Sequence, residues 1–494
     1  MESFLGSKQK IVKDSFPTIV HCFFFLVFCS ISLLNHYYFR SAGLDYGLSN
    51  QALYQYAHFK TAIITQSLND LPTNYLGCHL SFWVPLLSPL YWIFGSYTLL
   101  IFQNLMLIFA GIGILKLAKY FKMNEWAMVF VLLQFYTSFA IYSAIAFDYH
   151  DNVIGACFLP WLFYFYQKEK IGLTILCFFA ILISKENLAI LLIFTAFTLW
   201  LSRPNFSWKS LLIPLLFSLI ALSYFLLAIL VIIPSLNGSG NFDQIGRYSH
   251  LGSSLSEIFK YIFTHPIKML QLFYESHIEG DIESRVKQEF LFVLLVSGGI
   301  ALIRKPAFLW MVLPILIQKL WNKELAFWGL SYHYQIEIAP IVSLAILFWL
   351  KDVNSWKKQI SIIVILFIST FSICFVKMQS RYSEYYHPYK ENIFTKAHYQ
   401  APDGFQKIKE GITKIPADSA VCAQANLLPH LSNRSKIYHF PNINQARYFL
   451  FLQPQLNAYP ETQERAEAII NGIRENGEWT EDSTFAPLRI LTRK

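Results

Sequence analysis

Charge is scarce in this 494-residue chain: Asp, Glu, Lys and Arg make up 14%, where soluble globular proteins carry about 25%. That shortfall excludes an ordinary cytosolic domain, a disordered chain and a fibrous repeat. The seven cysteines form neither a CxxC pair nor an evenly spaced framework, so neither a disulfide scaffold nor a zinc module is expected. A bridge between Cys78 and Cys422 would need both on an oxidising side. No Gly-rich phosphate loop, internal repeat or low-complexity segment is visible. No basic stripe with interleaved aromatics marks a nucleic-acid surface.

What is abundant is apolar: 55% of residues are hydrophobic, 17% are aromatic, and the mean hydropathy is +0.40. Apolar runs lie at 16–38, 97–119, 126–146, 152–166, 171–184, 187–201, 210–234, 288–304, 306–321, 337–351 and 358–376. They are too long and continuous for barrel strands, and backbone in lipid must bond to itself, so they are expected as helices. Several fall short of the ~20 residues of a straight span, as helices beside a water-filled cavity can. Lys8, Lys10 and Lys13 precede the first run, which is too long for a signal peptide and lacks a cleavage site.

Placing that end inside, the positive-inside pattern holds only if the Pro-containing piece 80–95 dips into the outer interface. Inside loops then carry Lys116, Lys119, Lys122, Lys168, Lys170, Arg203, Lys209, Arg304, Lys305, Lys351, Lys357 and Lys358. The expectation is an α-helical polytopic membrane protein of about 11 spans plus a re-entrant or interfacial helix. Its membrane body is 1–376, with outer loops 39–96 and 235–287. Charge concentrates in 377–494, where 27 of 118 residues ionise, and this part is expected as a small soluble α/β domain on the outer side. Within it the pattern predicts helices near 403–413, 426–431 and 461–475, and strands near 419–423, 436–440, 447–452 and 487–492. An Asn-Phe-Ser acceptor at 205–207 falls on the inner side and carries no meaning there.

Ionisable groups at membrane depth are costly and default to functional hypotheses. Asp45, His79, Asp148, His150, Asp151, Lys185, Glu186 and Glu337 all reach the outer face in this threading, with His333 and Tyr334 just before Glu337. Each also has a plain alternative. Asp45 could cap a helix starting near Gly47, His150 could sit in a solvated loop, and Lys185 could pair with Glu186. Asp148 and His150 lack the i, i+4 spacing of a helical metal pair. No metal ligands are assigned and no organic cofactor is implied, with a divalent cation left open. His430 and Arg434, four apart, could face one ligand or brace the tail.

These residues stand in a recurring order: Leu44-Asp-Tyr-Gly-Leu-Ser-Asn-Gln-Ala-Leu53, His79, Pro89-Leu-Tyr91, Phe147-Asp-Tyr-His150 and Ser184-Lys-Glu186. Tyr248-Ser-His-Leu-Gly252, His333-Tyr334 before Ala339-Pro340, Leu428-Pro-His-Leu-Ser-Asn-Arg434 and Ile437-Tyr-His-Phe-Pro441 follow. The ordered set, over about 45–450, resembles an uncharacterised family of bacterial predicted polytopic membrane proteins. That family in turn resembles the GT-C superfamily of glycosyltransferases. The resemblance implies a GT-C-like fold in the bacterial inner membrane, with the N-terminus cytoplasmic and the tail periplasmic. It implies transfer of a sugar from a polyprenyl-phosphate donor to a glycan, lipid or protein acceptor of the cell envelope. Asp45 matches the catalytic carboxylate of the first outer loop, without a second acid beside it, and Asp148–His150 resembles a second polar cluster.

Taken with this resemblance, the expected catalytic residues are Asp45, His79, Asp148 and His150, and the expected substrate-binding residues are Lys185, Glu186, Arg247, His333, Tyr334, His430 and Arg434. Two competing functions need no catalysis. A secondary transporter or lipid-linked-sugar flippase would favour inverted repeats, which are not visible. A membrane scaffold or receptor would use the tail as its binding module.

Overall fold

The computed structural model describes residues 2–66, 72–203, 208–277, 281–380 and 391–494, with side chains left aside at 2–15, 208–209 and 281–284. The 205–207 acceptor motif therefore lies outside the described residues. The chain is largely helical, with several apolar helices and a small C-terminal sheet.

Five described helices are long and apolar enough to cross a membrane: Phe16–Tyr37, Trp83–Tyr120, Leu212–Asn237, Arg285–Arg304 and Trp356–Met378. A sixth forms if Glu125–Tyr136 and Phe139–Ile145 act together across a 42° bend. Four of the other expected spans are shorter apolar helices: Ile171–Leu182, Leu188–Leu201, Pro306–Leu320 and Ile338–Lys351. The last is buried along nearly its whole length, so its neighbours are protein rather than lipid. By contrast Leu212–Asn237 leaves Leu215, Leu219 and Leu230 exposed, as a lipid-facing helix does. The 80–95 piece is a chain of short helical turns that runs into Thr98–Tyr120 through Gly95, whose φ of +53° suits glycine.

Small residues and polar clamps knit the helices. Gly113 lies where a Cβ would meet Trp161 and Pro160, letting Thr98–Tyr120 and Asp151–Gln167 approach closely. Trp161 closes that seam by donating Nε1–H to the Phe109 carbonyl at 2.7 Å. Gln103, deep in the same helix, donates to the Asp148 carbonyl and accepts from the His150 N–H, both at 2.9 Å. The turn before Asp151–Gln167 is thus pinned at both ends.

After the first span come β1 (Ile63–Ile64) and β2 (Thr73–Asn74), a short antiparallel pair. The C-terminal sheet holds β3 (Val421–Ala423), β4 (Ile437–His439), β5 (Tyr448–Leu452), β6 (Trp479–Asp482) and β7 (Leu488–Arg493). Its order is β4-β3-β5-β7-β6, parallel across the first three and antiparallel thereafter. Helices Phe405–Thr413 and Gln463–Glu475 pack into two separate clusters, which also bury Val421 and Leu450 on one side and Cys422 and Phe449 on the other. The alternation of neighbouring residues between the clusters is that of strands covered on both faces.

The sheet is seated on the first loop. Thr65 bonds the backbone of Ile437 in both directions, at 2.7 and 3.0 Å, and Gln51 donates to the Ser435 carbonyl at 3.1 Å. These contacts cover the exposed side of the edge strand β4. Asn50 reaches the Pro429 carbonyl, and Asn426 reaches that of Phe39, each at 3.2 Å.

Candidate functional site

The first span ends at Tyr37, and after a short turn the chain makes one π-helical turn, Gly43–Gly47, before entering the helix Leu48–Ala57. Such a single wide turn leaves backbone geometry that straight helix does not offer. Asp45 stands in this turn. It caps no helix, because the residue preceding Leu48–Ala57 is Gly47 and no side chain closes that end. The turn is held from three sides. Ser432 and Gln66 both donate to the Gly47 carbonyl, at 3.2 and 2.9 Å. Leu428 packs so closely on Gly43 that a Cβ there would meet it. The Ala42 N–H donates to Asp148 Oδ2 at 2.6 Å.

Asp45 faces a polar cavity of about 600 Å³. Around it stand His79, Tyr75, Tyr149, His150, Asp151, Lys185, Asp243, Arg247, His333 and Tyr334. Among the described residues no hydrogen bond or ion pair engages the Asp45 carboxylate. Burial pushes its pKa from 3.8 up to about 6, against the pull of the Lys185 and Arg247 charges. A half-buried carboxylate poised near neutrality and open to a cavity is suited to accepting a proton.

A second cavity, of about 310 Å³, adjoins the first. Both are lined by His79, Lys185, Phe242, Gln244, Arg247, His333 and Tyr334. Beyond these shared residues the second cavity turns apolar, with Leu188, Leu191, Phe225, Ile229, Ile258, Ile262 and Ile315 on its walls.

At the junction His79, Glu186, Glu337 and Arg247 each have a polar partner. His79 donates Nδ1–H to Glu186 Oε1 at 2.8 Å, and the Leu80 N–H donates to the other oxygen at 3.0 Å. Burial alone would raise the Glu186 pKa, but the His79 charge and hydrogen bond, with Lys185, bring it down to about 2. Glu337, just before the helix Ile338–Lys351, accepts from Asn152 at 2.9 Å. Burial lifts it to about 7, partly countered by that hydrogen bond. Arg247 lies 3.4 Å from Glu324 and 4.6 Å above the Phe327 ring. Lys185 sits between the two cavities and, among the described residues, its ammonium forms no hydrogen bond or ion pair. Its charge acts on Asp45, Asp151, Glu186 and Glu337 together.

His150 and His333 stack with ring centroids 3.4 Å apart. Burial pushes His150 down to about 3 and His333 well below its ordinary value, so two neutral rings face each other. His150 is oriented by donating to the Phe147 carbonyl at 2.8 Å, whereas His333 Nδ1 is buried without a hydrogen-bond partner among the described residues. Tyr334 stacks on Phe327 at 3.8 Å.

The expected residues thus divide. Asp45, His79, His150, Lys185, Arg247, His333 and Tyr334 meet at the cavities, with Glu186 behind His79. Asp148 does not join them. Its φ of +72° turns the chain, and its carboxylate points back to Ala42, so it braces the Asp45 turn. Its neighbour Asp151 lines the cavity instead, accepting from Tyr149 at 2.6 Å and from Tyr75 at 3.4 Å. His430 and Arg434 face protein rather than a shared ligand, because their helix ends at Leu431. His430 lies flat on His36, with centroids 4.2 Å apart, and joins the sheet region to the first span. Arg434 donates to the carbonyls of Leu431, Pro416 and Ser419, bracing its own loop. Sequence reasoning had noted Asp151 and Glu337 without giving them roles, and it missed Tyr75, Tyr149 and Asn152. Tyrosines near helix ends read as interface anchors, and no local signal separates these from the rest.

Among the described residues no three His, Cys, Asp or Glu side chains converge to hold a metal ion, and all seven cysteines are free. Of the cavity residues, His79 and Glu186 are committed to each other.

A family model described as Predicted membrane protein (DUF2079) matches residues 35–483. No curated protein matches the chain.

Proposed function

The chain belongs to the DUF2079 family of predicted membrane proteins, and on that premise we propose that it is a GT-C-like glycosyltransferase using a polyprenyl-phosphate sugar. The observation that carries this reading is the pairing of two cavities. A polar chamber containing an unpaired carboxylate opens into an apolar one, and cationic side chains stand at their junction. An amphiphile with a sugar, a phosphate and a long hydrocarbon chain matches that sequence of environments.

In this reading the sugar and the acceptor hydroxyl occupy the polar cavity. Asp45 accepts the hydroxyl proton as the new glycosidic bond forms. The bond from the anomeric carbon to the phosphate oxygen breaks, and the phosphate leaves with the electron pair. Lys185 and Arg247 balance the charge that develops there. His79, fixed by Glu186, and the neutral His150–His333 stack shape the wall. The polyprenyl chain lies along Leu188, Leu191 and Ile315. The reaction runs at the outer face of the cell membrane, with the C-terminal sheet region outside.

The test is turnover by the purified protein in detergent on a panel of polyprenyl-phosphate sugars, with and without EDTA. Asp45→Asn keeps the shape and removes the charge. It is expected to lower turnover by ~100-fold or more, in the range of a lost general base. Undiminished turnover in the variant would remove Asp45 from catalysis. Saturable binding of donor with no turnover in the native chain would favour a flippase.

A further inference from the structure

The segment between Leu212–Asn237 and Arg285–Arg304 includes two consecutive helices, Leu255–Thr264 and Pro266–Gln271, that are apolar on two sides, one buried and one exposed. On one side Ile258, Met269 and Leu272 are buried with Leu251 and Trp321. Ile258 and Ile262, on that side, form part of the apolar cavity wall. On the other side Phe259, Phe263, Ile267 and Leu270 stand 57%, 80%, 74% and 64% exposed. Their spacing of four, four and three continues one helical stripe across the break at His265. Lys260 and Lys268 flank it, also exposed.

A stripe of this kind facing water would be a standing cost and an aggregation hazard. Aromatic and aliphatic side chains with flanking lysines are the composition of helices lying in a membrane interface, where anionic headgroups meet the lysines. The cavity wall formed by the other side also carries Leu191 and Phe225, from the apolar helices Leu188–Leu201 and Leu212–Leu227. The two-sided segment therefore stands at the depth where an interface would cross the body.

We propose that this helix pair docks into the leaflet on the cavity side and forms the membrane-side wall of the apolar cavity, admitting a lipid chain sideways from the bilayer. The partner is the lipid surface itself. The inference extends the lipid-linked donor reading, but it is read on the bilayer's own phospholipids and needs no turnover, so the two can fail separately.

The full chain is reconstituted in nanodiscs containing phosphatidylglycerol, with photoreactive benzoylphenylalanine at Phe263, Ile262, Leu219 or Arg465, one at a time. Mass spectrometry identifies the adducts. Leu219, exposed on an apolar helix, confirms that lipid capture works, and Arg465, exposed near the C-terminal sheet, reports background. Phospholipid adducts at both Phe263 and Ile262 are expected, with none at Arg465. Adding Phe259→Asp and Ile267→Asp, which make the stripe polar without touching the cavity face, should lower the Ile262 adduct at least fivefold and leave that at Leu219 unchanged. Three results would each overturn the proposal: no lipid at Phe263 while Leu219 is labelled, an adduct of Phe263 to a second copy of the chain, or an Ile262 adduct indifferent to the aspartates.

Discussion

Asp45→Asn should make the folded protein more stable at alkaline pH while it disables the site. The carboxyl holds its proton more tightly in the fold, at a pKa of about 6, than in the unfolded chain, near 3.8. Well below pH 3.8 both states are neutral and the side chain costs nothing. As pH rises towards 6, the unfolded chain ionises first and the fold loses stability relative to it. Above pH 6 the full cost remains. A raised pKa of roughly two units corresponds to roughly 3 kcal/mol at 1.36 kcal/mol per unit, and the charges of Lys185 and Arg247 are already within that figure. Asparagine carries no such cost at any pH. Thermal unfolding of purified wild type and variant in detergent, followed by intrinsic fluorescence, should therefore show the variant melting higher at pH 8. The difference should shrink to a small remainder by pH 4. A variant that is no more stable at pH 8 would mean that the carboxylate is held by ion pairs rather than left exposed to the cavity. A gain that persists unchanged at pH 4 would trace to packing and refute the charge argument.

Lys185→Met removes the cation between the cavities. It should weaken polyprenyl-phosphate binding by ~10-fold or more, the scale of a lost hydrogen bond to a charged group, measured by quenching titration. It should also move the acid limb of the pH–rate profile upward, since Lys185 lowers the Asp45 pKa. Leu428→Ala opens a gap against Gly43 and should cost ~2–5 kcal/mol, seen as faster proteolysis of the C-terminal sheet region. Unchanged cleavage would show that the sheet does not rely on the Asp45 turn. Arg434→Met strands three carbonyls and should lower the melting temperature with donor affinity unchanged, whereas lost affinity in a stable variant would return Arg434 to the binding site.

Much of the helical body was legible because its rule is local. Continuous apolar runs have few alternatives to helix in lipid or against other helices, so each run between 97 and 376, short or long, coincides with helix in the structure. The C-terminal elements followed from periodicity, except β6. Its Trp479-Thr-Glu-Asp482 is an edge strand with three exposed polar residues, and only its pairing with β7 makes it a strand.

Composition and long apolar runs are enough to mark a membrane protein of apolar helices, and they single out the few ionisable residues whose presence there demands a reason. What those residues do follows from how the chain packs. Asp148 and Asp151 are three apart and chemically identical. A positive φ and one backbone N–H turn the first into a brace, while two tyrosine hydroxyls hold the second at the cavity. His430 and Arg434 have the spacing of a ligand pair, yet the first stacks on a helix almost 400 positions away and the second folds back on its own loop. Spacing along the chain fixes which residues share a turn. Which of them meet across 45, 79, 185, 247 and 333 depends on how the helices and the sheet pack, and no local pattern records it.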